Sequence, residues 1–208
     1  MFPPRSGILA PAALFGGVIG MVVAGRLEYA TLRDLGGLPT TAVGLIEEAA
    51  KLIVPLALLV ILWRNRHDVA DGLVIGVATG MGFATLETMG YAFVTLIASG
   101  GNVNAVEQTL LIRGLLSPAG HMAWTGLACG ALWAMAAAPT GRNVVKFVVT
   151  FLGVVALHAA WDSGSGLLWY AALGLISLAW LGWELHRTRA LYPIPAREPV
   201  VRRRPGLI

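Results

Sequence analysis

The amino-acid sequence predicts an all-α fold, a polytopic transmembrane helical bundle of about six spans with both termini in the cytoplasm. Three observations predict it. Only 12% of residues are charged and 57% are hydrophobic, where soluble domains carry about 25% charged residues. Mean hydropathy is +0.74. Six apolar stretches, each close to the ~20 residues needed to cross the hydrocarbon of a bilayer, follow one another with short breaks.

The stretches cover Gly7–Gly25, Thr41–Leu62, Gly72–Ser99, Gly114–Ala138, Val145–Asp162 and Gly166–Trp183. The first follows Arg5 like a signal peptide, but its length favours an uncleaved span. The breaks are Gly36-Gly37-Leu38-Pro39, Asn65 to Asp71, Gly100-Gly101-Asn102 and Pro139-Thr140-Gly141, rich in residues that interrupt helices. The last break, Ser163 to Gly166, requires a tight hairpin. Between the third and fourth spans, Asn104–Arg113 suits a short helix at the outer interface. Residues 1–186 therefore form the bundle, and 187–208 a basic, Pro-containing cytoplasmic tail.

Charge sets the orientation. Arg5, Arg64, Arg66, Arg142, Lys146, Arg187, Arg189, Arg197, Arg202, Arg203 and Arg204 fall on one side of a six-span chain, and Arg26, Arg33 and Arg113 on the other. The excess marks the cytoplasmic side. The net charge of +4 thus lies beside membrane spans, which points the tail at anionic lipid rather than nucleic acid. The one cysteine, Cys129, has no intrachain partner and reads as a small packing residue. The pairs Gly16/Gly20, Gly76/Gly80 and Gly126/Gly130 permit close helix approach. The tryptophans, such as Trp63, Trp169 and Trp183, fall mostly near span ends and read as interfacial anchors, and His67 and His186 as solvated loop or tail residues.

The informative residues are ionisable groups inside the spans. The second span carries Glu47, Glu48 and Lys51, the third Glu87, the fourth His121, and the fifth His158 and Asp162. A carboxylate at mid-membrane costs about 2.5–3.5 kcal/mol on insertion scales, so a bundle needing only stability has no use for four. Glu47 and Lys51, Glu87 and Tyr91, and His158 and Asp162 are each i,i+4 pairs on one helix face. Counted from the outer ends of their spans, Glu47, Glu87, His121 and His158 lie at ~8–16 Å. They therefore form one polar cluster in the outer half of the bilayer. Carboxylates with two imidazoles suit activation of water, either directly or through a metal ion. A proton-coupled transporter uses the same residue types, and a non-catalytic, immunity-type scaffold keeps them without turnover.

Glu47-Glu48-Ala49-Ala50-Lys51, Leu86-Glu87-Thr88-Met89-Gly90-Tyr91, Gly120-His121-Met122-Ala123-Trp124 and His158-Ala159-Ala160-Trp161-Asp162 together resemble the PrsW family of intramembrane proteases. That family lies within the superfamily that includes CAAX prenyl endopeptidases and bacteriocin-immunity-type proteins. Its pattern is E-E-x-x-K, then F-E-x-x-x-Y, then histidines on later helices; here Leu86 replaces the phenylalanine. The resemblance implies a multi-pass protease of the cell membrane that cuts a membrane-associated substrate such as a single-pass anti-sigma factor. Carried over by motif position, Glu47 activates water, Glu48 assists or is structural, His121 helps hold the water or a metal, and His158 completes the site. Lys51, Glu87, Tyr91 and Asp162 support them. Asp162 stands where the prenyl-endopeptidase branch has asparagine; an ionised aspartate cannot donate to an oxyanion, so it orients His158 or ligates metal. If a metal is present, its ligands come from His121, His158 and Glu87, and zinc is the candidate. A metal-free glutamate mechanism accounts for the same residues and is slightly favoured.

Overall fold

Helices form where the apolar stretches predict them, and they stop where the backbone demands it. The computed structural model describes residues 6–62 and 68–191. Arg5, Trp63, Arg64, Arg66, His67 and the tail from residue 192 onward, with Arg197, Arg202, Arg203 and Arg204, lie outside the described residues. The elements are α1 (Ser6–Leu35), α2 (Thr40–Lys51), α3 (Ile53–Leu62), α4 (Val69–Ala98), α5 (Val103–Leu116), a 3-10 turn (Ser117–Ala119), α6 (His121–Ala137), α7 (Gly141–Ser163) and α8 (Leu167–Leu191). Among the described residues there is no strand, so the chain is all-α.

Four of these helices are each long and apolar enough to cross a membrane: α1 (over Gly7–Leu35), α4, α7 and α8 (over Leu167–Thr188). A count of six requires α2 and α3 to act together as one broken span and α6, with 17 residues, as a short one of ~26 Å.

Two predicted spans are interrupted, and proline explains each interruption. The second breaks at Leu52, between α2 and α3. Pro55 has no N–H, and its ring collides with the carbonyl four residues back, on Lys51. The fourth stretch is not one helix from Gly114. Pro118 sits in the 3-10 turn, Gly120 leaves helical geometry at φ −107°, ψ −114°, and α6 begins only at His121. The residues before it end α5, a helix close to the predicted Asn104–Arg113 segment.

Other ends follow local rules. Gly36, at φ +68°, closes α1 with its N–H on the Leu32 carbonyl at 2.9 Å; only glycine adopts this left-handed cap at no steric cost. The Asn102 side chain accepts from the Ala105 N–H and caps α5, and Thr140 does the same for α7 through the Asn143 N–H. The α7–α8 connection is the tight hairpin expected, with Gly166 at φ +93° and the Tyr170 hydroxyl donating to the Gly164 carbonyl at 3.0 Å. α8 continues past residue 186 to Leu191.

α6 is the centre of the bundle. Its residues Ala123 to Trp133 are all buried, as a helix apolar on every side must be. α4 lies along it and also carries α1; α7 and α8 cover its other side, and α2 fits between α1 and α7. Small residues set these distances. A methyl group on Gly76 would meet the Thr125 carbonyl and Cys129 Cβ, one on Gly80 the His121 carbonyl, and one on Gly82 the Ala13 carbonyl. Cys129 is fully buried against this seam, a packing residue as predicted. Trp124 and Trp133 are buried core residues, whereas Trp169 and Trp183 are exposed.

The α4–α6 seam therefore fixes where His121 stands. Gly80→Ala should lower stability by about 1–3 kcal/mol through overpacking, measured as a fall in the thermal midpoint of the purified protein in detergent. Gly90→Ala, on an exposed face with nothing near its Cβ position, should not.

Candidate active site

The ionisable residues singled out in the sequence meet where the second half of α2, the last turns of α7 and the start of α6 gather. The Thr40 and Ser163 hydroxyls, 2.8 Å apart, tie the start of α2 to the end of α7.

Lys51 is the centre of the cluster and is wholly buried. Lys51 is the last residue of α2, and its ammonium lies 4.1 Å from the centre of the Phe83 ring. An ammonium has three protons and no acceptor. Here they are taken by Glu47 Oε2 at 3.2 Å, Glu48 Oε1 at 2.8 Å and His121 Nδ1 at 2.8 Å. Because Lys51 can only donate, His121 Nδ1 accepts, and a neutral His121 ring carries its proton on Nε2. That nitrogen faces Glu87 Oε2 at 2.7 Å.

His158 is held from the opposite side. Its Nδ1 lies 2.9 Å from Glu48 Oε1, in a buried contact. With the proton on Nδ1, Nε2 presents its lone pair toward Glu47 Oε2 at 3.6 Å and Asp162 Oδ2 at 3.4 Å. The His158 ring stacks on Trp124 with centroids 5.0 Å apart, and the His121 and His158 centroids are 5.2 Å apart. Trp124 is pinned in turn by its indole N–H to Ser177 Oγ at 2.9 Å.

Glu47, Glu48, Lys51, His121 and His158 are thus in mutual contact, and Asp162 touches the cluster from its more exposed edge. Glu87 is less central. It is tied to His121 and to Arg113, whose Nη2 is 2.7 Å from Glu87 Oε2. Tyr91 does not reach the cluster directly; its ring lies under the Arg113 guanidinium at 3.8 Å.

One ligand atom from each of Glu47, His121 and His158 lies within 4.8 Å of the others, a group able to hold a metal ion. Where the sequence pointed to Glu87 as the carboxylate of that set, the geometry puts Glu47. The reason is position: α2 brings Glu47 between both histidines, while Arg113 draws Glu87 to the rim.

A family model described as PrsW family intramembrane metalloprotease matches residues 4–183 of the chain. The chain belongs to the PrsW family. It is a multi-pass membrane protein and an intramembrane protease. No curated protein and no solved structure matches it.

The donor set of this PrsW-family site fits a divalent metal. Two imidazoles and a carboxylate match the ligand types of catalytic zinc. The Glu48–His158 contact is the carboxylate–histidine support that fixes a ligating ring. With the His158 proton on Nδ1, Nε2 and the Glu47 and Asp162 oxygens are all acceptors, an arrangement that a metal ion between them, or a proton on Nε2, would satisfy. Both nitrogens of His121 already have partners, and one of those contacts must open for this ring to ligate.

Two members of the PrsW-family site escaped the sequence reading. Arg113 was counted with the outer basic residues, yet it enters from α5 and pairs with Glu87. Glu28 falls beyond Gly25, where the first predicted stretch ends. α1 runs on to Leu35, and Gly20, Ala24 and Glu28 follow one another at i,i+4 on the stripe that packs beside Ala50 and Phe83. Glu28 lies within electrostatic reach of Glu47, Glu87, His158 and Lys51, and its Oε1 is buried without a hydrogen-bond partner. The extension of the small-residue stripe Gly20–Ala24 by one turn was the available signal.

Lys51→Met should cost about 3–5 kcal/mol, because it leaves Glu47 and Glu48 as buried charges without their counter-ion. Adding Glu48→Gln to that variant should recover part of the loss. Chemical unfolding of the purified proteins checks both.

Proposed function

We propose that this chain hydrolyses a peptide bond in a single-pass membrane protein, of which an anti-sigma factor is one example, using Glu47 as general base. The observation that carries this is the convergence of one Glu47 oxygen and the two histidines within 4.8 Å, in a chain of a protease family.

In the proposed mechanism, Glu47 takes the proton of the attacking water and returns it to the leaving amine. Glu48 holds His158 by its Nδ1–H, and Asp162 lies 3.4 Å from Nε2 of the same ring, where it would engage a proton or metal ion carried on that nitrogen. Lys51 neutralises Glu47 and Glu48 and fixes the His121 tautomer. Arg113 and Tyr91 restrain Glu87, which in turn orients His121. A divalent metal, zinc by donor type, would be held by His121, His158 and one oxygen of Glu47, leaving the second Glu47 oxygen as the base, and would supply Lewis acidity and a more acidic water. We favour this metal over the metal-free alternative, because the family is one of metalloproteases and, among the described residues, five carboxyl groups (Glu28, Glu47, Glu48, Glu87 and Asp162) face two permanent cations, Lys51 and Arg113.

The cut is proposed near the outer face. Arg142, Lys146 and Arg187 line a cavity of about 380 Å³ at the other end of the bundle, where Lys146 pairs with Glu184 at 2.9 Å. Along α7, Arg142 and His158 are ~24 Å apart. With the basic end cytoplasmic, as the positive-inside rule requires, the cluster falls in the outer half. We assign anionic lipid headgroups to that basic end and to the basic tail as partners. We also propose that the helical bundle carries the site and that the basic chain following α8 is a cytoplasmic tail, with the boundary moved from 187 to the end of α8 at Leu191.

The test is co-expression with tagged single-pass candidate substrates. Glu47→Gln and His158→Ala should each reduce product at least ~10²-fold, the scale of losing a general base or its partner. Product formation unchanged by both substitutions would discard the assignment of Glu47 and His158 to the catalytic site. Elemental analysis of the purified protein should find about one equivalent of zinc, lost in the His121→Ala, His158→Ala double variant.

A further inference from the structure

Beside the acid–histidine cluster the fold leaves an apolar cleft of about 190 Å³ that shares His121 with it. One wall is Ile112 and Leu116 of α5, the other Trp161 of α7 and Tyr170 of α8, with Arg113 at the edge nearest Glu87. α5 has no fully buried residue and packs on α4 and the 3-10 turn, so the space between it and the α7–α8 hairpin is a cleft rather than a sealed void.

The cleft is built to a fixed shape. An aromatic series leads into it from the catalytic side: His121 meets Trp124 edge-on with centroids 5.4 Å apart, Trp124 meets Trp161 at 5.9 Å, and Trp161 meets Tyr170 at 4.8 Å. The polar tips of Trp124 and Tyr170 in this series are already used. The Trp124 N–H donates to Ser177 and the Tyr170 hydroxyl to the Gly164 carbonyl. Ring surface is what remains on that wall. Its size selects the ligand: an apolar cavity of ~150 Å³ holds benzene, and ligand sites for whole small molecules run from ~300 Å³ upward. The cleft therefore has room for one large side chain.

We propose that this cleft is a substrate subsite that receives a bulky apolar side chain, aromatic or leucine-like, from a residue flanking the scissile bond. The inference rests on the proteolytic function proposed above. Because His121 belongs both to the cleft and to the group that activates water, a side chain seated against Trp161 and Tyr170 brings its own backbone to the cluster. An apolar pocket discriminates by ~10–200-fold per methylene, so the subsite would choose among membrane substrates that all reach the same depth.

Two arms test it, both with the full chain in lipid nanodiscs. In the first, a set of single-pass peptides randomised in the juxtamembrane segment is digested and the cut sites are read by mass spectrometry. Wild type should prefer leucine or phenylalanine over alanine at one flanking position by at least ~10-fold. Leu116→Trp, which fills the cleft, should shift that preference to small residues, and Trp161→Ala, which enlarges it, should relax it toward larger ones. In the second arm, Glu47→Gln protein is irradiated with a peptide carrying benzoylphenylalanine. Adducts should map to 112–124 or 161–170 and should vanish with Leu116→Trp. Cleavage whose flanking preference ignores both cleft variants, or adducts that map elsewhere, overturns the subsite and leaves the protease. Adducts in the cleft without any cleavage support the subsite and count against the catalytic mechanism instead.

Discussion

The buried ammonium of Lys51 is the interaction on which the rest of the site depends. Placing a cation and two carboxylates from one short helix in the interior is costly, and the cost is offset because every Lys51 proton finds an acceptor and its ammonium lies over the Phe83 ring. That single group joins α2 to α6 through His121, and to α7 through the Glu48 carboxylate it shares with His158. It also settles the chemistry of both rings. His121 must accept at Nδ1, and Glu48, held by Lys51, takes the His158 Nδ1–H and leaves Nε2 facing Glu47 and Asp162.

Several departures from regular helix serve this arrangement. Pro55 ends α2 just after Lys51, Gly120 starts α6 just before His121, and Gly166 turns α7 into α8 just beyond Asp162. Each break sits next to a polar group that the site uses. The glycines of α4 complete the effect, because Gly76 and Gly80 let α6 approach until the His121 carbonyl lies against the helix. Stability of the seam and placement of the imidazole are thus the same packing problem.

Fold class and most of the polar set were legible in the sequence. Low charge and ~20-residue apolar runs identify membrane helices because a bilayer imposes both. Ionisable groups inside such runs are costly enough to stand out singly, so Glu47, Glu48, Lys51, His121 and His158 were all found. The tight α7–α8 hairpin and the helix near 104–113 were also anticipated, since Gly, Ser and Asn act locally. Arg113 and Glu28 were not: Arg113 lies on the expected interfacial helix, but its pairing with Glu87 depends on how that helix folds back, and Glu28 lies past the predicted end of the first span until α1 is seen to continue.

What the sequence determined by itself is the inventory and its local pairs: helices, the i,i+4 neighbours Glu47/Lys51 and His158/Asp162, and a family pattern in order along the chain. These depend on periodicities of a few residues. Only the tertiary structure decided which carboxylate stands between the two histidines, which ring nitrogens are engaged, and that an aromatic cleft opens beside them. Those outcomes depend on how closely separate helices cross and on where α2 and α6 are cut, distances that no short-range pattern encodes.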